Sequence, residues 1–320
     1  MLLARLAASL LLIGLVAALL LLVDLGAVLS ALDEVSLGHV MAGLLLVQVQ
    51  IVVSAARWHF TAARLSFPMS RLQAVREYYV ATAVNQLAPG GVAGDALRAF
   101  RLRDGDPGGL KRSAKTVVFE RLSGQMSFFA FFAVGLFFWR FLPGQAQIPG
   151  GILLPVTAIL AGLIVALVLV AKRYQGLGME LHAVFVSRYA WAVQAALSVT
   201  VMLAYVGLFM LTAHAVGAPL PPVGALTIVP ASLLVMLIPT GLGGWGTREA
   251  AAAALWPIAG LSAADGVAAS LVYGALALVG AIPGLVILLL IGGWPGSRVR
   301  QQLAQHADED KHAGHDESRA

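Results

Sequence analysis

Six apolar runs dominate this chain: Leu6 to Leu29, Val40 to Ala56, Thr116 to Trp139, Ile152 to Ala171, Trp191 to Ala213 and Gly266 to Ile291. About 17 to 25 helical residues cross the hydrocarbon core of a bilayer, so every run has spanning length. The rest of the composition agrees. With 59% hydrophobic and 12% charged residues and a mean hydropathy of +0.86, the chain lacks the polar surface of a soluble domain. The predicted class is an all-α polytopic membrane protein with about six full transmembrane helices. The first run is too long for the apolar segment of a signal peptide and is expected to remain as an uncleaved helix. The absence of cysteine excludes disulfides, thiolate metal sites and cysteine nucleophiles.

Short cytoplasmic loops retain Lys and Arg, which orients the runs. Arg5 precedes the first run, Arg57, Arg64, Arg71 and Arg76 follow the second, and Arg98, Arg101, Arg103, Lys111, Arg112 and Lys115 precede the third. Lys172, Arg173 and Arg188 join the fourth to the fifth, and Arg298 and Arg300 follow the last. The opposite loops carry Asp33, Glu34, Arg140 and His214. Both termini are therefore expected in the cytoplasm, with the protein in the cell inner membrane.

That assignment puts Arg76 and Arg98 on one side although the apolar segment Tyr78 to Ala88 lies between them. Eleven helical residues rise only about 17 Å, half a bilayer, so the segment is expected to enter, turn at Pro89-Gly90-Gly91 and return as a re-entrant hairpin. Its freed backbone groups must then be buried in protein or line a wet cavity.

A second broken segment matches the first. Residues 89 to 98, PGGVAGDALR, and residues 239 to 248, PTGLGGWGTR, both fit P-x-G-x-x-G-x-x-x-R. Two apolar runs precede each copy and one follows, so each half reads helix, helix, hairpin, helix. An odd number of crossings inverts the second half. The expectation is two inverted-topology repeats, about 1–140 and 150–295, within a membrane domain 1–295, with the second hairpin over about Val223 to Trp256 entering from outside. Paired, glycine-interrupted segments at corresponding positions point to a transporter site at the midplane. Residues 296–320 are expected to form a polar cytoplasmic tail without a packed core.

The run N-x-x-x-P-G-G-x-x-G-D-x-x-R from Asn85, the triplet Phe119-Glu120-Arg121 and the late PTGLGGWGTRE together resemble the lysylphosphatidylglycerol synthase transmembrane, flippase-like family. The resemblance covers roughly residues 1 to 295, nearly the whole chain. It implies movement of lipids between leaflets. No aminoacyl-transferase domain is expected after residue 295, so the resemblance is to a stand-alone member and does not imply lipid synthesis.

A headgroup site follows from the motif residues. After each glycine turn a short helix is expected to restart, capped by Asp95 in one copy and Thr247 in the other. Helix N-termini favour anions, and Arg98 and Arg248 in the first turn would grip a phosphate by two bonds. Pro89, Gly90, Gly91, Gly94, Pro239, Gly241, Gly243 and Gly244 would permit positive φ and close backbone approach, with tight helix packing as the plainer role of any one glycine. Glu249 beside Arg248 is a pathway charge or a local ion pair. Arg121 is expected to snorkel to the interface. Glu120 is a proton carrier if desolvated, or one half of a structural ion pair. Asn85 would satisfy freed carbonyls or touch a headgroup.

Trp58, Trp139, Trp191 and Trp294 are expected in an aromatic belt at helix ends. The stretch Arg98 to Lys115 is a topology signal and anionic-lipid contact, not a nucleic-acid site. His306, His312 and His315 lack metal-ligand spacing, and no nucleotide-binding loop is present, so no cofactor or metal is expected. The favoured function is a lipid transporter, not an enzyme, moving an anionic phospholipid or lipid-linked phosphate. The alternative is a membrane-embedded enzyme, or the partner of a separate lipid-modifying enzyme, for which Asp95, Glu120, Glu249 and His214 offer no recognised catalytic spacing.

Overall fold

The computed structural model describes residues 25–88, 91–103, 108–139, 162, 165, 169, 173, 175–236 and 243–290. The elements there are helical: α1 (Leu25–Leu32), α2 (Leu37–Arg64), α3 (Arg71–Leu87), α4 (Ala93–Arg101), α5 (Gly109–Trp139), α6 (Gln175–Phe185), α7 (Ala190–Ala215), α8 (Pro222–Val235), α9 (Thr247–Leu255), α10 (Ala263–Gly280) and α11 (Ile282–Leu290). A 3-10 turn, Trp256–Ala259, joins α9 to the α10 loop. Among the described residues four stretches are long and apolar enough to cross a membrane: Leu37–Arg64, Gly109–Trp139, Ala190–Ala215 and Ala263–Leu290. They cover four of the six expected runs, the last as far as Leu290. The rest of the first run beyond α1, and nearly all of Ile152 to Ala171, lie outside the described residues, as do Arg140, Trp294 and the tail.

Local chemistry sets several helix starts. Ser36, Ser70 and Ser262 each accept from the backbone three residues on, and His39, Gln73 and Asp265 return a bond to the cap N–H. Pro222 opens α8, where a missing N–H costs nothing. Within α8, Pro230 removes the donor that Leu226 would accept from, and Gly135 of α5 packs against that carbonyl, where a Cβ would come within 2.5 Å.

Helices α2 and α7 run antiparallel, joined by Gln50 to the Ala204 carbonyl (3.1 Å), Arg57 to Ser198 (3.2 Å) and Gln194 to Thr61 (3.0 Å). The main core is aromatic and aliphatic: Phe209 lies 4.8 Å from Tyr273 and 5.4 Å from Trp256, ring to ring. Polar and charged side chains gather at the two ends of α2. His39 meets His214 at one end, while at the other Arg64 donates to the Ala183 carbonyl of α6 and Lys115 pairs with Glu180.

Two helical hairpins sit among these long helices. In the first, α4 folds back on α3 so closely that a Cβ on Gly94 would collide with the Ala81 carbonyl, and Arg101 reaches Glu77 at 2.5 Å. In the second, α9 folds back on α8 through Gly243, Gly244 and Gly246, at φ of +55°, +85° and +85°. The turns touch: the Gly243 N–H donates to the Ala88 carbonyl at 3.5 Å. Pro89, Gly90, Pro239 and Gly241 lie outside the described residues.

Candidate functional site: a charged cavity between two hairpins

Where the two turns meet, a cavity of about 530 Å³ opens between α2, α3, α5 and α10. Its polar lining is mostly neutral, including Gln50, Ser54, Asn85, Gln125 and Tyr205, with Asp95, Arg121 and Arg248 as its ionisable Asp and Arg groups. Val47, Ile51, Val118 and Phe128 supply an apolar flank. A volume of that order accommodates a small ligand or headgroup.

The first hairpin carries a chain of charges. Arg57 Nη2 donates to Glu120 Oε1 (2.8 Å), and Arg98 Nη2 donates to Glu120 Oε2 (2.7 Å). Arg98 also pairs with Asp95 Oδ1 (2.9 Å), and Asp95 Oδ2 accepts from Arg121 Nη2 (2.6 Å). Tyr78 donates to Glu120 at 3.3 Å. Signs therefore alternate along Arg57, Glu120, Arg98, Asp95 and Arg121, from helix to helix across α2, α5 and α4. The Arg98 guanidinium lies between two rings, 4.4 Å from the centre of Trp58 and 4.6 Å from that of Tyr78. Its side chain is 1% exposed, whereas that of Arg121 is 44% exposed.

The second hairpin is built to a related plan. Arg248 donates to Glu249 (2.6 Å) and to the Ser270 hydroxyl (2.9 Å), between the rings of Trp245 (5.2 Å) and Tyr273 (5.1 Å). Gly274 leaves the room its guanidinium fills. Glu249 turns its other oxygen to the Gly246 N–H at 2.6 Å. In each copy the motif arginine reaches a side chain 22 residues on, Glu120 in the first and Ser270 in the second.

Several expectations are corrected. Asp95 does not cap α4: the cap position is Val92, with no side-chain bond, and Asp95 lies inside the first turn, where arginines claim it. Thr247 does not cap α9 either; its hydroxyl donates to the Gly244 carbonyl (3.0 Å) and Glu249 does the capping. Arg98 and Arg248 are buried with their Nε–Nη2 edges already taken, by Asp95 and Glu120 in the first copy and by the Ser270 hydroxyl and Glu249 in the second. Arg121 is the more exposed arginine, and it lines the cavity. Glu120 is ion-paired with Arg57 and Arg98. Asn85 satisfies a freed N–H, that of Gly94 (2.7 Å), and not a carbonyl. Trp58 is fully buried under Arg98, far from any belt role, while Trp191 is 63% exposed. Gly91 takes φ +60° as expected of the turn.

Sequence reasoning missed Arg57, taken for a loop charge. A signal was present: Gln50, Ser54, Arg57, Thr61 and Arg64 recur every third or fourth residue, one polar stripe down a spanning helix. On the α5 and α7 sides Ser123, Gln194 and Ser198 continue the stripe by hydrogen bonds.

The family profile described as lysylphosphatidylglycerol synthase TM region matches residues 3–284. The chain belongs to this family. That match covers both hairpins and every described residue of the charge chain, and it sets the chain among membrane proteins related to lipid synthesis or transport. No curated protein matches the chain.

Proposed function

We propose that this member of the family is a lipid transporter that carries an anionic or phosphate-bearing lipid between the leaflets of the cell inner membrane. The observation that carries this reading is the cavity at the contact of the two glycine turns, with the half-exposed Arg121 guanidinium in it and an apolar flank beside it. A headgroup needs a cation and hydrogen-bonding groups at membrane depth, and its tails need an apolar exit; the cavity offers both. In this reading the two hairpins are re-entrant, entering from opposite sides as parts of inverted repeats, and both termini are cytoplasmic. Alternating access comes from movement of one hairpin against the other at the Gly243 to Ala88 contact.

The test is reconstitution of the purified protein in liposomes with fluorescent phosphatidylglycerol, followed by quenching from outside. Protein-dependent exposure of inner-leaflet label with the lipid chemically unchanged supports the transporter. No exchange above empty vesicles for any anionic lipid refutes it, and a chemically altered lipid supports the enzyme instead.

A further inference from the structure

Resting on the lipid-transport reading, the geometry points to a charge rule for the headgroup: the cavity takes a monoanionic phosphodiester, and Asp95 is the resident anion which that phosphodiester replaces on Arg121.

The rule comes from the alternation of signs. A chain that begins and ends on arginine, Arg57 to Arg121, has three guanidiniums against two carboxylates and carries one net positive charge. The second hairpin adds none, since Arg248 and Glu249 neutralise each other at 2.6 Å. The unmatched charge also has an address. Arg57 is 4% exposed and bonded to Ser198, and Arg98 is walled in by Trp58 and Tyr78. The chain meets the cavity at Asp95 and Arg121, and of the three guanidiniums it is that of Arg121 which opens into it, with a side chain 44% exposed against 11% for Asp95.

Asp95 is placed to yield. Its Oδ1 stays with Arg98, bonded to Nε at 3.0 Å and Nη2 at 2.9 Å, when Oδ2 gives up Arg121. No carboxylate is then left without a partner. The two free oxygens of a phosphodiester match the fork of the released guanidinium. One incoming negative charge brings the whole chain to neutrality. A phosphomonoester dianion overshoots and leaves a buried negative charge; a zwitterion leaves the positive charge unmatched and brings its own ammonium beside Arg121. The neutral amides and hydroxyls around the site, Gln50, Ser54, Asn85 and Gln125, bond the ligand without altering this count. Val47, Ile51, Val118 and Phe128 beside them fit the glyceride end of a lipid better than a free anion.

The test is a binding measurement on the full chain in detergent, by native mass spectrometry with dioleoyl phosphatidylglycerol, phosphatidic acid and phosphatidylcholine. It is run near pH ~8, above the second phosphate pKa of ~6. The wild-type protein is expected to favour phosphatidylglycerol over each of the others by about tenfold, a modest yield for one unit of charge at contact distance. Asp95→Asn makes the chain doubly positive and is expected to reverse the order, phosphatidic acid over phosphatidylglycerol. Arg121→Gln makes it neutral and lowers phosphatidylglycerol binding to the phosphatidylcholine level; it serves if Asp95→Asn does not fold. An unchanged order in Asp95→Asn, wild-type binding by Arg121→Gln, or equal binding of all three lipids overturns the rule. Complete displacement of phosphatidylglycerol by excess dimethyl phosphate overturns the lipid source in favour of a soluble anion. Because binding is read and not movement, a protein that obeys the rule yet exchanges no lipid in vesicles refutes the transporter alone.

Discussion

Glu120 holds the first hairpin to the long helices, and replacing it by glutamine isolates what that costs. The carboxylate is fully buried and accepts from Arg57 at 2.8 Å, Arg98 at 2.7 Å and Tyr78 at 3.3 Å. Glutamine has the same shape but turns an NH2 toward one guanidinium and leaves two buried cations without their common anion. Breaking a buried ion pair costs about 3–5 kcal/mol, and the amide oxygen retains one charged hydrogen bond of roughly 1.5 kcal/mol, so the net loss is about 2–4 kcal/mol. For a chain of 320 residues that lowers the unfolding midpoint by roughly 3 to 6 °C. Tryptophan fluorescence during heating in detergent reads the shift, since Trp58 lies against the same network. Adding Arg57→Gln removes one of the stranded cations, so the double variant is expected to be more stable than the sum of its parts by about 0.5–3 kcal/mol. A Glu120→Gln protein that melts within about 1 °C of wild type refutes the argument that the buried chain anchors the hairpin.

Arg121→Gln is expected to behave in the opposite way: its half-exposed pair with Asp95 is worth about 0–1 kcal/mol, so the melting point stays within a few degrees while leaflet exchange is lost. The exposed Lys111, changed to Gln, should alter neither, and equal loss of exchange in both variants removes Arg121 from the site. Gly94→Ala should cost about 1–3 kcal/mol because the new Cβ runs into the Ala81 backbone, whereas Gly91→Ala meets open space and suffers only the ~1 kcal/mol of left-handed backbone strain. Comparable melting points for the two would contradict the packing of α4 on α3. Single cysteines can be placed in this cysteine-free chain at Ser36, Ser66 and Lys111. An impermeant thiol reagent applied to intact cells should label position 36 and spare 66 and 111. Labelling of 66 and 111 from opposite faces would mean that α3 and α4 cross the membrane.

The spans and both broken segments were legible because they depend on composition and on glycine and proline, which act locally. The four described spans begin before their apolar runs, by several residues in α5, where polar side chains such as Ser113 bury against neighbours. What was not legible depends on partners far away in sequence. Arg98 looks the same in the sequence whether it is open or paired, and only the approach of α5 decides that Glu120 closes it. Arg57 read as a loop charge because Lys and Arg near a helix end usually are; the stripe from Gln50 to Arg64 is the feature that would have placed it inside. The cap positions failed for a different reason. Sequence marks a polar residue near a glycine turn, but the turn's own register, with Gly244 and Gly246 both at φ +85°, decides which residue comes first in the helix.

The two copies of the motif differ at one informative position. Twenty-two residues after the motif arginine, the first copy has a carboxylate and the second a hydroxyl, Glu120 against Ser270. In the second copy the carboxylate is instead the arginine's own neighbour, Glu249, which is also tied to the Gly246 N–H, so the charge balance closes within the hairpin. In the first copy the carboxylates are shared among three arginines from three helices, and the balance ends one cation over. Moving the first hairpin relative to α2 and α5 must therefore separate Arg98 from Glu120, while moving the second breaks, among the described residues, no ion pair beyond its own hairpin but the Ser270 hydrogen bond; the Gly243 to Ala88 bond is lost whichever hairpin moves. The second hairpin is thus the cheaper one to shift, by roughly the difference between a buried ion pair and a single hydrogen bond. A spin-label pair reporting the distance from α9 to α10 is expected to change on adding phosphatidylglycerol, while a pair from α4 to α5 stays fixed. The reverse pattern would mean that the charge chain is broken and remade in each cycle, and that the first hairpin is the moving part.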